Sequence, residues 1–158
     1  RVDVVSAQEM HQKVITAIEQ TDLFVATAAV ADYRPQTIAG NKIKKQDADT
    51  SLSLTLNPDI LAEVAALPSG RRPFCVGFAA ETENVAEQGE QKRIRKGVDM
   101  LAANLVGGEH GGFEDDSNAV TLLWQNGQAD LPLMPKQALA GELTQLIIEH
   151  FNNATRSA

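Results

Sequence analysis

The chain has 158 residues, of which 43% are apolar and 22% are charged, a balance typical of one globular domain with a substantial core. The net charge of -7 at pH 7 disfavours a broadly basic surface for nucleic acid. No apolar run reaches the length of a membrane span and no signal-peptide pattern is present, so we expect a cytoplasmic protein that binds neither nucleic acid nor membrane.

Apolar runs and helix-start signals alternate along the first half of the chain. Ser6 and Glu9 have the spacing of a capping box. The continuous apolar run at residues 23–30 predicts a strand buried on both faces, whereas the strict alternation at 51–56 predicts a half-buried strand. We predict strands at residues 2–5, 23–30 and 51–56, helices at 7–20 and from the N-cap Asn57 to about 67, and a loop at 32–45.

The second half continues the alternation and closes with a hairpin and a long helix. Asn126-Gly127 between two strand-like runs predicts a hairpin turn. Thr82 is the expected cap of a helix that stops at Gly97. We predict strands at residues 74–79, 100–105, 118–124 and 128–133, helices at 83–96 and 136–151, a glycine-rich loop at 107–116 and a fraying tail after Asn152.

Together these elements predict an α/β fold in a single domain over residues 1–158. We expect a three-layer, Rossmann-like arrangement, with a mostly parallel sheet that carries an antiparallel hairpin at one edge. Cys75 lies in an apolar run and is expected to be a buried structural thiol. The chain opens at Arg1 and enters an apolar segment at once, so we interpret it as a piece of something longer.

The segment best suited to a ligand is the end of the apolar run, at residues 26–35. Its small side chains let a ligand approach the backbone, and ligands bind at the carboxyl ends of strands in open α/β sheets. Asp32 suits a ligand hydroxyl or amine, and Arg34 suits a carboxylate or phosphate. A flexible loop with a cationic cluster follows, comprising Lys42, Lys44 and Lys45. The alternative for residues 32–35 is a polar end of the strand with no ligand. The alternative for the lysine cluster is a solvent-exposed loop.

Two further segments carry groups that suit a polyphosphate or a polar ligand. Lys92 and Lys96 share one helix face, with Arg93 and Arg95 to either side, although cations in a last helical turn also complement the helix dipole. The backbone amides after Asn57 suit a polar ligand atom, and the alternative is a helix cap alone.

No metal-ligand spacing, Walker loop, dinucleotide glycine fingerprint or nucleophile elbow is present, so the metal ligands stay unassigned. Among the histidines, His110 in a glycine-rich loop is the one candidate for a site, and a surface histidine is the favoured interpretation. The acids and histidines considered are Glu81, Asp115, Asp116, His11, His110 and His150.

Five segments, in their order and spacing, resemble bacterial phosphopantothenoylcysteine synthetase, the carboxy-terminal half of a bifunctional coenzyme A biosynthesis protein. Five ordered motifs are far more specific than any one of them, and the resemblance covers nearly all of the chain. The segments are residues 28–35, 42–45, 57–61, 76–82 and 92–96.

The resemblance implies a CTP-dependent phosphopantothenate–cysteine ligase that uses Mg²⁺ with its nucleotide. In that family the carboxylate of 4'-phosphopantothenate attacks the α-phosphorus of CTP and releases pyrophosphate. The amine of cysteine then attacks the acyl-cytidylate, which gives phosphopantothenoylcysteine and CMP. Members are typically homodimers fused to a flavin-dependent decarboxylase domain, and no flavin is expected in this domain.

The resemblance also implies the site residues. Lys42 is the catalytic flap lysine that acts on the phosphates and the acyl intermediate, and Lys92 and Lys96 hold the triphosphate. The implied CTP-binding residues are Ala26, Thr27, Ala28, Asp32, Lys42, Pro58, Asp59, Ile60, Leu61, Phe78, Lys92 and Lys96.

The chain departs from the family at its start, where a glycine-rich first strand and a segment with a catalytic asparagine are absent. We therefore expect a synthetase domain truncated at its N-terminus, which alone is inactive and unstable or self-associating. The alternative is a non-catalytic Rossmann-like module for nucleotide binding or dimerisation. A dehydrogenase-like domain is disfavoured because the dinucleotide fingerprint is missing.

Overall fold

A five-stranded mixed sheet forms the centre of the computed structural model, which describes residues 1–44, 51–106 and 116–156. The first three strands in spatial order pair in parallel and the last two pair antiparallel. In that order the strands are β1 (Leu23–Ala26), β4 (Phe74–Glu81), β5 (Met100–Leu105), β6 (Ser117–Trp124) and β7 (Gly127–Pro135). A separate antiparallel pair is formed by β2 (Tyr33–Pro35) and β3 (Leu54–Leu56).

Helices cover both faces of the sheet and complete three layers. They are α1 (Ala7–Ala17), which continues as a 3-10 turn (Ile18–Gln20), α2 (Ile60–Ala65), α3 (Val85–Lys96) and α4 (Lys136–Arg156). Successive strand residues face opposite sides, so Met100 packs toward α4 while Leu101 packs toward α1 and α2. The predicted Rossmann-like α/β fold is therefore confirmed. None of the helices in the described ranges has both the length and the apolar character needed to cross a membrane.

Several local predictions are confirmed by the geometry of the turns. The Ser6 Oγ accepts from the Glu9 N–H at 3.2 Å, and Glu9 reaches back to the Val5 N–H at 2.8 Å. Gly97 adopts the left-handed conformation that ends α3. The hairpin is also present, with Asn126 left-handed rather than Gly127.

The first two predicted strands are wrong in part. Residues 2–5 form no strand, because they pair with no strand of the described residues. The Val5 N–H donates to the Glu9 carboxylate instead. The run at 23–30 ends as a strand at Ala26. Within the described chain β1 lies at the sheet edge, and Val25 is 39% exposed, so this strand is not buried on both faces.

The alternating segment at 51–56 is shorter than predicted and faces the other way. Only Leu54–Leu56 forms a strand, and it pairs with Tyr33–Pro35, inside the predicted loop. The Leu54 and Leu56 side chains are 54% and 64% exposed, whereas Thr55 is partly buried. Among the described residues, no helix or second sheet covers the apolar face of this two-stranded ribbon. Alternation of apolar and polar residues therefore did not place that face in the core.

Three helix ends also differ from the prediction. Asp59, not Asn57, caps α2, and its carboxylate accepts from the Ala62 N–H at 3.2 Å. Left-handed Asn84, not Thr82, precedes α3. The last helix extends to Arg156, five residues beyond the predicted end at Phe151.

Cys75 is fully buried on β4, as predicted. Burial raises the pKa of its thiol to about 11; the nearby Arg72 charge opposes that shift and Asp99 adds to it. The Cys75 Sγ donates to the Pro73 carbonyl at 3.3 Å. A thiol this far from ionisation is a packing group and not a nucleophile.

We expect the buried thiol to make stability fall as pH rises from about 9 to 11. The unfolded chain releases the thiol proton near its ordinary pKa of 9.0, and the folded chain holds it to about 11. The stabilisation is therefore complete below pH 9 and about 2 to 3 kcal/mol is lost across that window. Urea unfolding at each pH gives the free energy of unfolding of the chain and of Cys75→Ala. The difference between the two isolates the thiol, because every other titrating group is present in both proteins. A difference between the two that stays constant from pH 8 to 11 would contradict it.

Close packing of α3 against the sheet predicts a penalty for adding a methyl group at Gly89. A Cβ there would lie 2.5 Å from Leu123 Cδ1 and 3.0 Å from Ala103 Cβ. Gly89→Ala should therefore lower the free energy of unfolding by about 1 to 3 kcal/mol. Gly141→Ala in α4 is the matched control, because its Cβ would meet open space. That variant should gain up to about 1 kcal/mol of helix propensity, and equal stability of the two variants would refute the packing argument.

Candidate functional site

A cleft of about 620 Å³ opens where β1 and β4 end, between the start of α2 and the last turns of α3. Its floor is apolar, and its rim carries carboxylates on one side and cations on another. The floor includes Ala26, Ala28, Ile60, Leu61 and Phe78, and the polar rim includes Asp32, Asp59, Lys92, Arg95 and Lys96. The carboxyl ends of parallel strands thus form the site, as the topology of such sheets favours.

Asn57 fixes the segment that follows β1. Its Nδ2 donates to the Ala31 carbonyl at 2.8 Å, and its backbone N–H donates to the Asp32 carbonyl at 2.8 Å. Arg34 donates to the Asn57 Oδ1 at 3.2 Å and to the Leu56 carbonyl. The guanidinium predicted to bind an anion is therefore engaged in holding the β2–β3 pair to the start of α2.

Asp59 links the start of α2 to α3. One carboxylate oxygen accepts from the Ala62 N–H, which caps the helix, and the other accepts from the Lys96 ammonium. Its neighbours Pro58 and Ile60 also line the cleft. A single carboxylate thereby sets the separation of two walls of the site.

The last turns of α3 present a row of cations to the cleft. Lys92 pairs with Glu81 at the end of β4, with Nζ to Oε1 at 2.7 Å, and the Glu81 side chain is only 15% exposed. Arg95 lines the same wall, which the sequence analysis missed. The sequence spacing could have identified Arg95, because residues 92, 95 and 96 lie on one face of a helix.

Arg93 does not join this row. It pairs with Glu90 at 2.7 Å and donates to the Val98 carbonyl at 3.2 Å. The Arg93 guanidinium hydrogen bond holds the pKa of the Glu90 carboxyl below its ordinary value. This residue therefore stabilises the end of α3 instead of serving the cleft.

Two predicted site residues lie elsewhere. Thr27 lines a second, adjoining cavity, whereas Ala28 lines both. Lys42 is exposed in an irregular segment and is not among the residues that line the cleft. Three further candidates, Lys45, His110 and Asp115, fall outside the described residues.

The described residues hold no group of three or more side chains arranged for a metal ion. Glu81 and Asp59 are each paired with a lysine. Among the residues that the structure describes, no hydrogen bond or ion pair engages the Asp32 carboxylate, which lines the cleft. A cation at this site would therefore need ligands from a bound anion as well as from Asp32.

Fold and site together define an α/β domain with a cation-rimmed cleft at the ends of its parallel strands. The family model of the DNA/pantothenate metabolism flavoprotein C-terminal domain matches residues 1–151, and the chain belongs to that family. The resemblance to the carboxy-terminal half of bifunctional coenzyme A biosynthesis proteins is thus confirmed.

Curated relatives agree with this assignment. The chain is 50% identical over 151 residues, 94% of its length, to the coenzyme A biosynthesis bifunctional protein CoaBC of Vibrio cholerae. It is 45% identical over 159 residues, 99% of its length, to CoaBC of Escherichia coli. It spans only 38% and 39% of those two proteins.

Solved structures agree as well. A crystal structure of the C-terminal domain of CoaBC superposes with a TM-score of 0.71 at 32% identity, over 94% of this chain and 64% of that one. The DNA/pantothenate metabolism flavoprotein of Streptococcus pneumoniae superposes with a TM-score of 0.68 over 94% of this chain and 69% of that one. At 13% identity, the second match supports the fold alone.

Loss of the Asn57 side chain should loosen the segment after β1. Asn57→Ala removes the donor to Ala31 and the acceptor for Arg34, so we expect about 1 to 2 kcal/mol of destabilisation. Hydrogen exchange should speed up in particular at the backbone N–H of residue 57, which donates to the Asp32 carbonyl. Asn152→Ala on the exposed side of α4 is the control and should change stability by less than about 0.5 kcal/mol. Unchanged exchange at that amide would show that the Asn57 side chain does not hold the segment.

Proposed function

We propose that this domain is a CTP-dependent phosphopantothenate–cysteine ligase of coenzyme A biosynthesis. It joins 4'-phosphopantothenate to cysteine through an acyl-cytidylate and yields phosphopantothenoylcysteine, CMP and pyrophosphate. The observation that carries the proposal is the cleft itself, because apolar side chains and three cations of one helix face line it together.

The cytosine and ribose lie, in this proposal, on the floor of the cleft. Ala26 and Ala28 leave the backbone open to a ring edge, and the backbone from Pro58 to Leu61, with Phe78, frames the base and sugar. Backbone N–H and C=O groups can read the hydrogen-bonding edge of a pyrimidine, and adenine presents a different edge. ATP should therefore bind more weakly than CTP.

The triphosphate lies against Lys92, Arg95 and Lys96. An ammonium group has three N–H donors, so each lysine can keep its carboxylate partner and still donate to phosphate. Glu81 and Asp59 hold the two lysines in position before the nucleotide arrives. Cations that are already placed stabilise developing charge without reorganising during the reaction.

The first step brings a carboxylate toward a triphosphate, so charge neutralisation governs it. A carboxylate oxygen of 4'-phosphopantothenate forms a bond to the α-phosphorus as the bond to the pyrophosphate oxygen breaks. Lys42 closes over the phosphates from its loop. Mg²⁺ would accompany the phosphates, with Asp32 as the protein carboxylate beside them, and would neutralise their charge.

The wider assembly is part of the same proposal. The exposed Leu54 and Leu56 of the β2–β3 pair support a homodimer interface. They equally favour the second candidate function, a non-catalytic module for nucleotide binding or dimerisation. The CoaBC relatives are named as bifunctional proteins, so we also propose fusion to a flavin-dependent decarboxylase domain, with no flavin in the domain described here.

Calorimetric titration with nucleotides in the presence of Mg²⁺ tests the proposal. We expect CTP to bind more tightly than ATP, and NAD not to bind. Comparable affinity for CTP, ATP and NAD would contradict the ligase proposal and favour a general nucleotide-binding module. Binding is the readout here, so the test does not depend on the complete reaction.

Removing either α3 lysine should discriminate between CTP and CMP. Lys92→Ala or Lys96→Ala should weaken CTP by about 10-fold or more and CMP by less than about 2-fold, because CMP lacks the outer phosphates. CTP binding should also weaken with added salt. Lys13→Ala on α1, outside the residues that line the cleft, is the matched control. Equal losses for CTP and CMP would assign these lysines to the fold instead.

Lys42 should matter more for turnover than for nucleotide binding. Lys42→Gln in a protein that carries out the whole reaction should lower kcat by about 100-fold and weaken CTP by only a few fold, because a loop residue acts on closure. Lys44→Gln in the same loop is the control. Parallel losses in kcat and CTP affinity would make Lys42 a ground-state binding residue.

A further inference from the structure

Gly77 lies in the middle of β4, where a glycine weakens a strand because it contributes no side chain to the sheet. Its backbone conformation does not require glycine, since the glycines with positive φ in the described chain are Gly70 and Gly97. What Gly77 provides is therefore space. A Cβ at this position would stand 2.6 Å from Leu61 Cδ2 of α2 and 2.9 Å from Leu101 Cδ1 of β5.

The space at Gly77 is continuous with the floor of the cleft. In the sheet register Gly77 lies between Ala26 of β1 and Leu101 of β5, so these residues form one row on one face. Ala26, Leu101 and Leu61 all line the cleft. Leu61 lies over the one position of the row that has no side chain. The position of Leu61 thus sets how much of the floor is open to a ligand.

Of the two leucines, Leu61 is the one with room to move. Leu101 is only 1% exposed, and its Cδ2 lies 3.8 Å from the Cβ position of Gly89, so α3 packs against its other side. Leu61 is partly buried, and it lines the cleft. A methyl group at residue 77 would therefore turn the Leu61 side chain toward the cleft.

The backbone of α2 is held more firmly than this side chain. Ile60 and Val64 are buried in the core on either side of Leu61, and Asp59 ties the start of the helix to Lys96. The end of a flexible side chain changes its rotamer more readily than a packed helix shifts. A Cβ at residue 77 would thus be accommodated by movement in the cleft and not in the core.

We propose that Gly77 is a positioning residue for the nucleotide: it lets Leu61 lie back against β4 and so keeps the apolar floor open for the base and the ribose. The inference rests on the proposed function, in which Leu61 helps to frame those two groups. Gly77 acts through Leu61 and is not itself among the residues that line the cleft. Phosphates lie against the α3 cations in that function, and an apolar floor offers them no hydrogen bond. Gly77 therefore acts on the nucleoside part of the ligand.

Calorimetric titration of Gly77→Ala with CTP, CMP and inorganic tripolyphosphate tests this assignment. CTP and CMP should weaken by the same factor, about 10-fold, whereas tripolyphosphate should bind within about 2-fold of its affinity for the unchanged chain. This pattern is the opposite of the one expected for the α3 lysines, which act on the outer phosphates. Unchanged affinity for CTP and CMP would overturn the inference, and so would an equal loss for tripolyphosphate.

Gly89→Ala is the matched control, because it adds the same methyl group against tight packing but outside the residues that line the cleft. It should lower the melting temperature at least as much as Gly77→Ala does, since the Ala103 Cβ beside it cannot rotate away, and CTP should bind within about 2-fold. Equal losses of CTP affinity in both variants would assign the loss to a loosened fold and overturn the positioning role. A Gly77→Ala chain that fails to fold would overturn it too, because the methyl group would then disturb the core.

Leu61→Ala in the Gly77→Ala background provides a second measurement. If Gly77 acts through Leu61, removing that side chain should abolish the penalty of the added methyl group, so the double variant should bind CTP within about 2-fold of Leu61→Ala alone. A penalty that stays at about 10-fold without the Leu61 side chain would overturn this inference and leave the proposed function intact. If the unchanged chain binds tripolyphosphate but neither CTP nor CMP, the proposed function is overturned instead.

Discussion

Two carboxylates hold the cationic face of α3 against the rest of the domain. Glu81 ends β4 and meets Lys92, and Asp59 caps α2 and meets Lys96. The side chains of these pairs are 15% to 47% exposed, so the pairs are neither fully solvated nor fully buried. Partly exposed pairs of this kind contribute little to stability, but they fix the orientation of α3, and the cleft depends on that orientation.

The apolar packing beneath these pairs makes the same geometry possible. Gly77 on β4 lets Leu61 of α2 come within 2.6 Å of where a Cβ would stand, and Gly89 lets α3 lie on β5 and β6. Because each glycine lacks a side chain, the neighbouring helix and strands can pack closely against each other. The strand ends, the start of α2 and the end of α3 can then meet around one cleft.

Small side chains at the strand ends keep the floor of the cleft open. Ala26 and Ala28 line it from β1 and the segment after β1, and Ala79 and Ala80 line it from β4. A row of three cations on α3 lines the same cleft, and such a row suits a polyanion. The chemistry that we propose needs two substrates to meet at one atom, and a wall of small side chains allows that approach.

Much of this was readable from the sequence. The period of the apolar residues, the Ser6 capping box and the Gly97 stop determined most helices and strands, because these signals are local. The spacing of Lys92 and Lys96 placed both on one helix face for the same reason. The order of five motifs carried the family, and the family match over residues 1–151 agrees with it.

Tertiary structure alone decided what the local signals left open. Whether Leu54 and Leu56 are buried depends on whether another element packs against the β2–β3 pair. The alternation of apolar residues carries no information about such packing. Arg34 has the chemistry of an anion ligand, but contacts with Leu56 and Asn57, more than 20 positions away, engage it in structure. The placement of Thr27 beside Asn104, Asn118 and Lys136 likewise follows from strand order, because it joins residues up to 109 positions apart that no sequence spacing relates.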